Sequence, residues 1–126
     1  MVELVIPDIA PSANKFYAGM NPHTRRRLAH QWHGMVLLAA KKQKMQRITN
    51  YPVDVEVYCN FAKGRRLLDA DNLFPTIKLV LDGLIMARVL ADDSPKYIGS
   101  VKLIPQKTGE KDSHTLVVIK SVEDDE

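Results

Sequence analysis

The segment Arg65–Asp93, RRLLDADNLFPTIKLVLDGLIMARVLADD, decides how this chain is interpreted. One acidic pair, Asp69 and Asp71, stands before an apolar stretch, and a second acidic pair, Asp92 and Asp93, follows it. If the backbone is extended at the first pair, both side chains point to the same side and can reach one hard cation. Crowded carboxylates repel each other, and a divalent cation relieves that repulsion. The segment therefore predicts a cation site.

The apolar stretch between the two pairs has the spacing of a helix. The residues that line one face of this helix are Ile77, Val80, Leu81 and Leu84. Asn72 is a good cap and Pro75 suits a first helical turn, so we expect the helix to begin near them. Lys78 and Asp82 lie four positions apart and are expected to be neighbours on another face.

The rest of the chain predicts four strands and one more helix. The strands are Val2–Ile6, 53–60, about 97–104 and about 115–122. The helix begins at the start signals around Asn21 and runs to about Arg47, with a basic outer face. The last two strands are expected to form a hairpin. The order strand, helix, strand, helix, strand, strand predicts an α/β (α+β) fold: one small domain with a mixed sheet of about four strands and two helices packed on it.

Length and charge limit the class of protein. A chain of 126 residues is long enough for one domain and too short for two ordinary ones. Its last four residues are acidic, and without them 18 Lys and Arg face 11 Asp and Glu, a net charge of +7. We divide the chain into a domain of residues 1–122 and an acidic tail of residues 123–126. The basic domain favours a polyanionic partner.

The sequence also predicts where the protein works. The amino terminus lacks a basic region followed by an apolar run, so we expect no export signal. No apolar stretch is long enough for a membrane span. The single cysteine, Cys59, excludes an internal disulfide and suits a reducing cytoplasm.

Five motifs follow one another along the chain. They are PSANKFY at 11–17, GRR at 64–66, DADNL at 69–73, IKLVLDGL at 77–84 and ADD at 91–93. Together they resemble the RusA family of Holliday junction resolvases. The resemblance covers nearly the whole chain in element order, and the residue matches concentrate between Arg65 and Asp93.

The resemblance implies a small homodimeric endonuclease that makes paired, symmetric nicks in four-way DNA junctions during recombination and repair. Its cofactor would be Mg²⁺, with Mn²⁺ as a substitute, and its host a bacterial or phage-infected cell. By motif position the catalytic and metal-binding acids would be Asp69, Asp71 and Asp93, with Asp92 as a further metal ligand. Oxygen ligands without a Cys or His cluster favour these ions over zinc.

The basic residues of the implied site are assigned in the same way. The family lysine stands four residues after the second Asp of D-x-D, where this chain has Pro75. Lys78, four residues before Asp82 as in the family, is the candidate to stabilise the scissile phosphate. The candidate DNA-binding residues are Lys63, Arg65, Arg66, Asn14 and Lys15.

Plain structural explanations exist for each part taken alone. Asp71 could cap a helix, Asp92 and Asp93 could lie in a turn, and the Arg pair could be solvated. Two functional alternatives also stay open. One is a non-catalytic, basic DNA-binding accessory protein, and the other is a nuclease for flaps or other branched DNA.

Overall fold

In the computed structural model, which describes residues 1–121, two helices pack on a four-stranded mixed sheet. The strands are β1 Val2–Ile6, β2 Val53–Phe61, β3 Ile98–Lys107 and β4 His114–Ser121; the helices are α1 Pro22–Lys42 and α2 Phe74–Met86. Short helical turns lie at Asn14–Ala18 (π) and Ala70–Leu73 (3-10). The predicted fold class and element order are confirmed. Val122 and the predicted tail lie outside the described residues, within which no helix is long and apolar enough to cross a membrane.

The strands are arranged in the order β1-β4-β2-β3. β4 is antiparallel to both β1 and β2, whereas β3 is parallel to β2. The expected hairpin of the last two strands is therefore wrong. Burial explains the arrangement, because β4 buries Val117 and Ile119 as a central strand does. β3 is mostly exposed, and it contains Pro105, which suits an edge.

The ends of α1 follow from specific side chains. Asn21 caps the helix by accepting a hydrogen bond from the backbone N–H of Thr24 at 2.8 Å, as the start signals predict. The helix ends at Lys42, earlier than the predicted Arg47. The side-chain amide of Gln43 instead pairs with the backbone N–H and C=O of Val5, both at 2.9 Å. This pairing occupies polar groups on the outer edge of β1.

The core lies between the sheet and the two helices. Val53, Val55 and Val57 alternate with partly exposed residues along β2 and are fully buried, as their period of two predicts. The helices meet most closely at Gly83, where a Cβ would lie 2.9 Å from the Cβ of Val36. A glycine at this position lets α2 pack directly against α1.

The helix α2 runs back across the sheet. It leaves the carboxyl end of β2, which we call the upper end, and returns the chain to the start of β3 at the lower end. At the upper end the backbone N–H of Ala10 donates to Thr76 Oγ1 at 3.2 Å. At the lower end the N–H of Ile48 donates to the carbonyl of Val89 at 2.8 Å. The 13 residues of α2 separate the upper end from the lower end by about 20 Å.

We expect Gly83→Ala to lower the free energy of unfolding. The added methyl group must displace the buried Val36 side chain, and overpacking of this kind costs about 1–3 kcal/mol, more than the roughly 1 kcal/mol that Ala gains in a helix. Gly34→Ala is the matched control, because no atom lies within 4 Å of its Cβ position and only the helical gain remains. Urea unfolding of both variants measures the difference. Equal stabilisation by both would contradict the close helix contact.

Candidate functional site

A basic cleft opens at the upper end of the sheet. Its volume is about 620 Å³, and its lining includes Lys15, Arg65 and Arg66, with Asp8 as the one carboxylate. These basic residues come from the segment after β1 and the loop after β2, which are far apart in sequence. The structure therefore brings three of the five predicted DNA-binding residues to one surface.

Arg65 is held in place at the centre of this surface. Its guanidinium carbon lies 5.5 Å from the centre of the Phe61 ring, and its Nη1 donates to Ser113 Oγ at 3.2 Å. The ammonium group of Lys107 donates to the carbonyl of Arg65. The side chain is fixed by two neighbours, Phe61 and Ser113, and therefore loses little rotamer freedom when it meets a ligand.

Lys107 was missed by the sequence analysis. It reaches the loop through the parallel register of β2 and β3, which sets Lys107 opposite Phe61. No local pattern marks such a contact, since 42 positions separate Lys107 from Arg65.

Lys63 lines a second cleft of about 720 Å³ on the other side of Arg65, where acidic Glu110 and Asp112 balance the charge.

The PSANKFY segment lies beside the DADNL motif. The backbone N–H of Asn14 donates to Asn72 Oδ1 at 3.4 Å. The N–H of Lys15 donates to Ser12 Oγ at 3.3 Å, a local bond within the short helical turn region. The last predicted DNA-binding residue, Asn14, therefore borders the first acidic pair, next to the basic cleft.

The first acidic pair is exposed, and its carboxylates have no partners within residues 1–121. Asp69 is extended, with φ −68° and ψ 149°, but a 3-10 turn starts at Ala70 and carries Asp71. The same-side geometry expected of an extended D-x-D is therefore not formed. Neither side chain caps the helical segment that follows it, which removes the capping explanation for Asp71. Within residues 1–121 neither carboxylate accepts a hydrogen bond or forms an ion pair.

The second acidic pair lies at the lower end. Asp92 and Asp93 are exposed and precede a turn in which the N–H groups of Tyr97 and Ile98 donate to the carbonyl of Ser94, at 2.9 and 3.0 Å. That turn leads into β3. As with the first pair, neither carboxylate has a hydrogen-bond or ion-pair partner in the described part of the chain.

The two pairs do not meet within one chain. Among residues 1–121 no three His, Cys, Asp or Glu side chains are placed to hold one metal ion. The expectation that Asp69, Asp71 and Asp93 share a pocket is therefore not met inside a single copy, because α2 separates the two ends by the height of the sheet. Lys78 joins neither pair; its Nζ lies 4.0 Å from Asp82 Oδ2, as the four-residue spacing predicts.

Two groups with shifted pKa values lie elsewhere. Burial raises the pKa of Cys59 to about 11, so this thiol stays protonated at neutral pH and acts as a small apolar residue. Burial also lowers the pKa of His33, an effect that Asp82 partly opposes. Neither ring nitrogen of His33 has a hydrogen-bond partner in residues 1–121. These shifts reflect helix and sheet packing and mark no catalytic group.

Comparison with known proteins adds no assignment. No protein-family model matches the chain, and no curated protein matches it at a significant level.

Proposed function

We propose that this protein is a Mg²⁺-dependent endodeoxyribonuclease that resolves four-way DNA junctions by paired nicks, and that it acts as a homodimer. The observation that carries the proposal is the basic cleft of Lys15, Arg65 and Arg66 beside the carboxylates of Asp69 and Asp71, which have no partner in the described part of the chain. Cationic side chains suit a phosphate backbone, and free carboxylates suit a hard cation. The two features adjoin each other at one end of the sheet.

Each group has a role that its chemistry supports. Arg65, prearranged by Phe61 and Ser113, would hold a phosphate, and Arg66 and Lys15 would hold its neighbours. Asp69 and Asp71 would be ligands of Mg²⁺, since they are exposed oxygen donors with no competing partner among residues 1–121. A bound Mg²⁺ supplies an activated water and relieves charge on the phosphoryl oxygens.

The second acidic pair joins the site only if two copies combine. Because α2 carries one acidic pair near each end, a two-fold axis that sets it antiparallel to the partner's α2 places the partner's Asp93 near Asp69 and Asp71. The same operation forms a second, identical site. Two such sites match the approximate two-fold symmetry of a four-way junction. The proposal therefore keeps Asp93, and Asp92 beside it, as ligands supplied from the other copy.

Lys78 and the cellular location are the remaining parts of the proposal. Lys78 is exposed on the second turn of α2 and is the nearest lysine in sequence to Asp71 on the carboxyl side. It would stabilise the scissile phosphate only when DNA approaches the helix.

A cytoplasmic location fits both the DNA substrate and the protonated, unpaired Cys59.

One observation favours a second candidate function. The described residues of one chain hold no three-ligand metal group, which suits a DNA-binding accessory protein without catalysis. The appearance of nicked product on addition of Mg²⁺ separates the two functions. Parallel reactions with flap and linear DNA separate a junction resolvase from other branched-DNA nucleases.

Asp71→Asn should abolish Mg²⁺-dependent cutting of a synthetic four-way junction. The amide keeps the shape but loses the anionic oxygen, and we expect at least about a 100-fold loss of rate. Junction affinity, measured by gel shift in Ca²⁺, should change less than about threefold, because Asp71 does not line the basic cleft. Cutting at the wild-type rate would remove the proposed site.

Mixing two inactive variants should restore cutting. A dimer of one Asp71→Asn chain and one Asp93→Asn chain contains one intact site, in which Asp71 and Asp93 come from different copies. Random exchange makes about a quarter of all sites intact, and the product should be single nicks instead of paired ones. Asp69→Asn mixed with Asp71→Asn is the control and should stay inactive, since no combination yields an intact site. Equal inactivity of both mixtures would place the acids of one site in one chain.

The basic cleft should dominate junction affinity. Lys15→Ala combined with Arg66→Ala removes two phosphate contacts and should reduce the slope of log affinity against log salt by about 2. Lys41→Ala combined with Lys42→Ala removes the same charge from the exposed end of α1 and is the matched control. A similar loss in both double variants would show that net charge, and not the cleft, sets affinity.

A further inference from the structure

Two aromatic rings are strongly exposed, and both belong to segments at the upper end of the sheet. The chain has three Phe, one Trp and four Tyr residues. Within residues 1–121 only Tyr17 and Phe74 expose a large part of the ring, at 51% and 56%, and the other aromatic residues are buried or half-buried. Exposed apolar side chains that are gathered at one place mark a binding surface more often than scattered ones do.

A hydrogen bond joins the two segments that carry these rings. The backbone N–H of Asn14 donates to Asn72 Oδ1 at 3.4 Å. Tyr17 lies three residues after Asn14 in the same short helical turn, and Phe74 begins α2 two residues after Asn72. The two aromatic residues therefore flank the 3-10 turn that carries Asp71.

Neighbouring groups hold both aromatic residues in place. The Tyr17 ring meets the buried Phe16 ring edge to face, with 5.0 Å between the ring centres. The Arg25 side chain donates to the carbonyl of Tyr17 at 3.3 Å. Phe74 stands between two buried chain neighbours at the start of a helix. Because a Phe or Tyr side chain rotates about only two torsions, a ring on a fixed backbone loses little freedom when it contacts a ligand.

The surroundings of the rings indicate what kind of ligand they take. Lys15 lies two residues before Tyr17 and lines the basic cleft together with Arg66. Aromatic rings beside cationic side chains are typical of surfaces that bind single-stranded nucleic acid, where the cations hold phosphates and the rings stack on bases. A base inside a continuous duplex is covered on both faces by its neighbours. Only an unstacked base offers a free face.

We propose that Tyr17 and Phe74 stack on unpaired bases of a nucleic acid strand whose phosphates lie in the basic cleft. The inference rests on the DNA-binding part of the proposed function and adds how the protein recognises a strand that leaves the duplex, as at a branch point. An apolar protein surface is a poorer partner, because exposed Lys15, Asp69 and Asp71 surround the rings and the centres of protein interfaces are depleted of charge.

The test compares two single strands that differ only in their bases. One is an oligothymidylate of about 12 nucleotides, and the other is an abasic strand with the same number of phosphates. Without metal, wild type should bind the oligothymidylate at least about tenfold more tightly, because only this strand can stack. Tyr17→Leu and Phe74→Leu should each weaken that binding at least about fivefold and leave binding of the abasic strand unchanged. Tyr17→Phe and Phe74→Trp keep a ring and should keep the affinity.

Two controls separate stacking from phosphate contacts and from general apolar contact. The Leu variants should lower the affinity for oligothymidylate without changing its dependence on salt, since they remove no phosphate contact. Lys15→Ala combined with Arg66→Ala should change that salt dependence. Leu38→Ala, which shortens a 54% exposed apolar residue on α1, should bind both strands like wild type.

Three results would each overturn the inference. They are equal affinity of wild type for the two strands, unchanged binding of oligothymidylate by both Leu variants, and an equal loss of affinity in the Leu variants and the variants that keep a ring. The proposed function fails separately. If the protein prefers the strand with bases but forms no nick in a four-way junction with Mg²⁺, only the nuclease proposal is wrong; if wild type nicks the junction but binds both strands equally, only the stacking proposal is wrong.

Discussion

The packing of α2 against α1 at Gly83 and Val36 is the constraint on which the rest of the structure depends. Because the glycine brings the two helices into direct contact, α2 shares one hydrophobic core with α1 and the sheet. A helix is a stiff spacer that rises 1.5 Å per residue. The two acidic pairs therefore flank a helix of 13 residues, about 20 Å long, a length well beyond the distance at which salt screens charge–charge repulsion.

Basic side chains from distant parts of the sequence lie together at the upper end of the sheet, because β1, β2 and β3 all end there. β2 continues into the basic loop, and β3 brings Lys107 to the same place through its parallel register. The segment after β1 adds Lys15 through the antiparallel arrangement of β1 and β4. Loops that follow several strands at one end of a sheet can place side chains from distant parts of a chain on one rigid support. The cleft depends on this topology.

The sequence determines the local elements well and their assembly poorly. The alternation of Val53, Val55 and Val57 and the cap at Asn21 are local, and both predictions are confirmed. The place of β4 between β1 and β2 is not local, since any apolar strand with a turn before it has the pattern of a hairpin. The same-side geometry of the D-x-D motif depends on an extended backbone, and a 3-10 turn that begins at Ala70 removes that condition. Spacing along the chain could not show that a helix would hold Asp71 and Asp93 apart.

Repulsion between the two acidic pairs is absent from a single copy and would arise only if two copies pair. If two copies pair with their α2 helices antiparallel, each first acidic pair faces the partner's second pair, and three or four carboxylates share one region. Their mutual repulsion opposes association until a cation binds, so cation affinity and dimer affinity must rise together. A protein built in this way would acquire a complete set of metal ligands only in its symmetric form, and both sites would form in the same event.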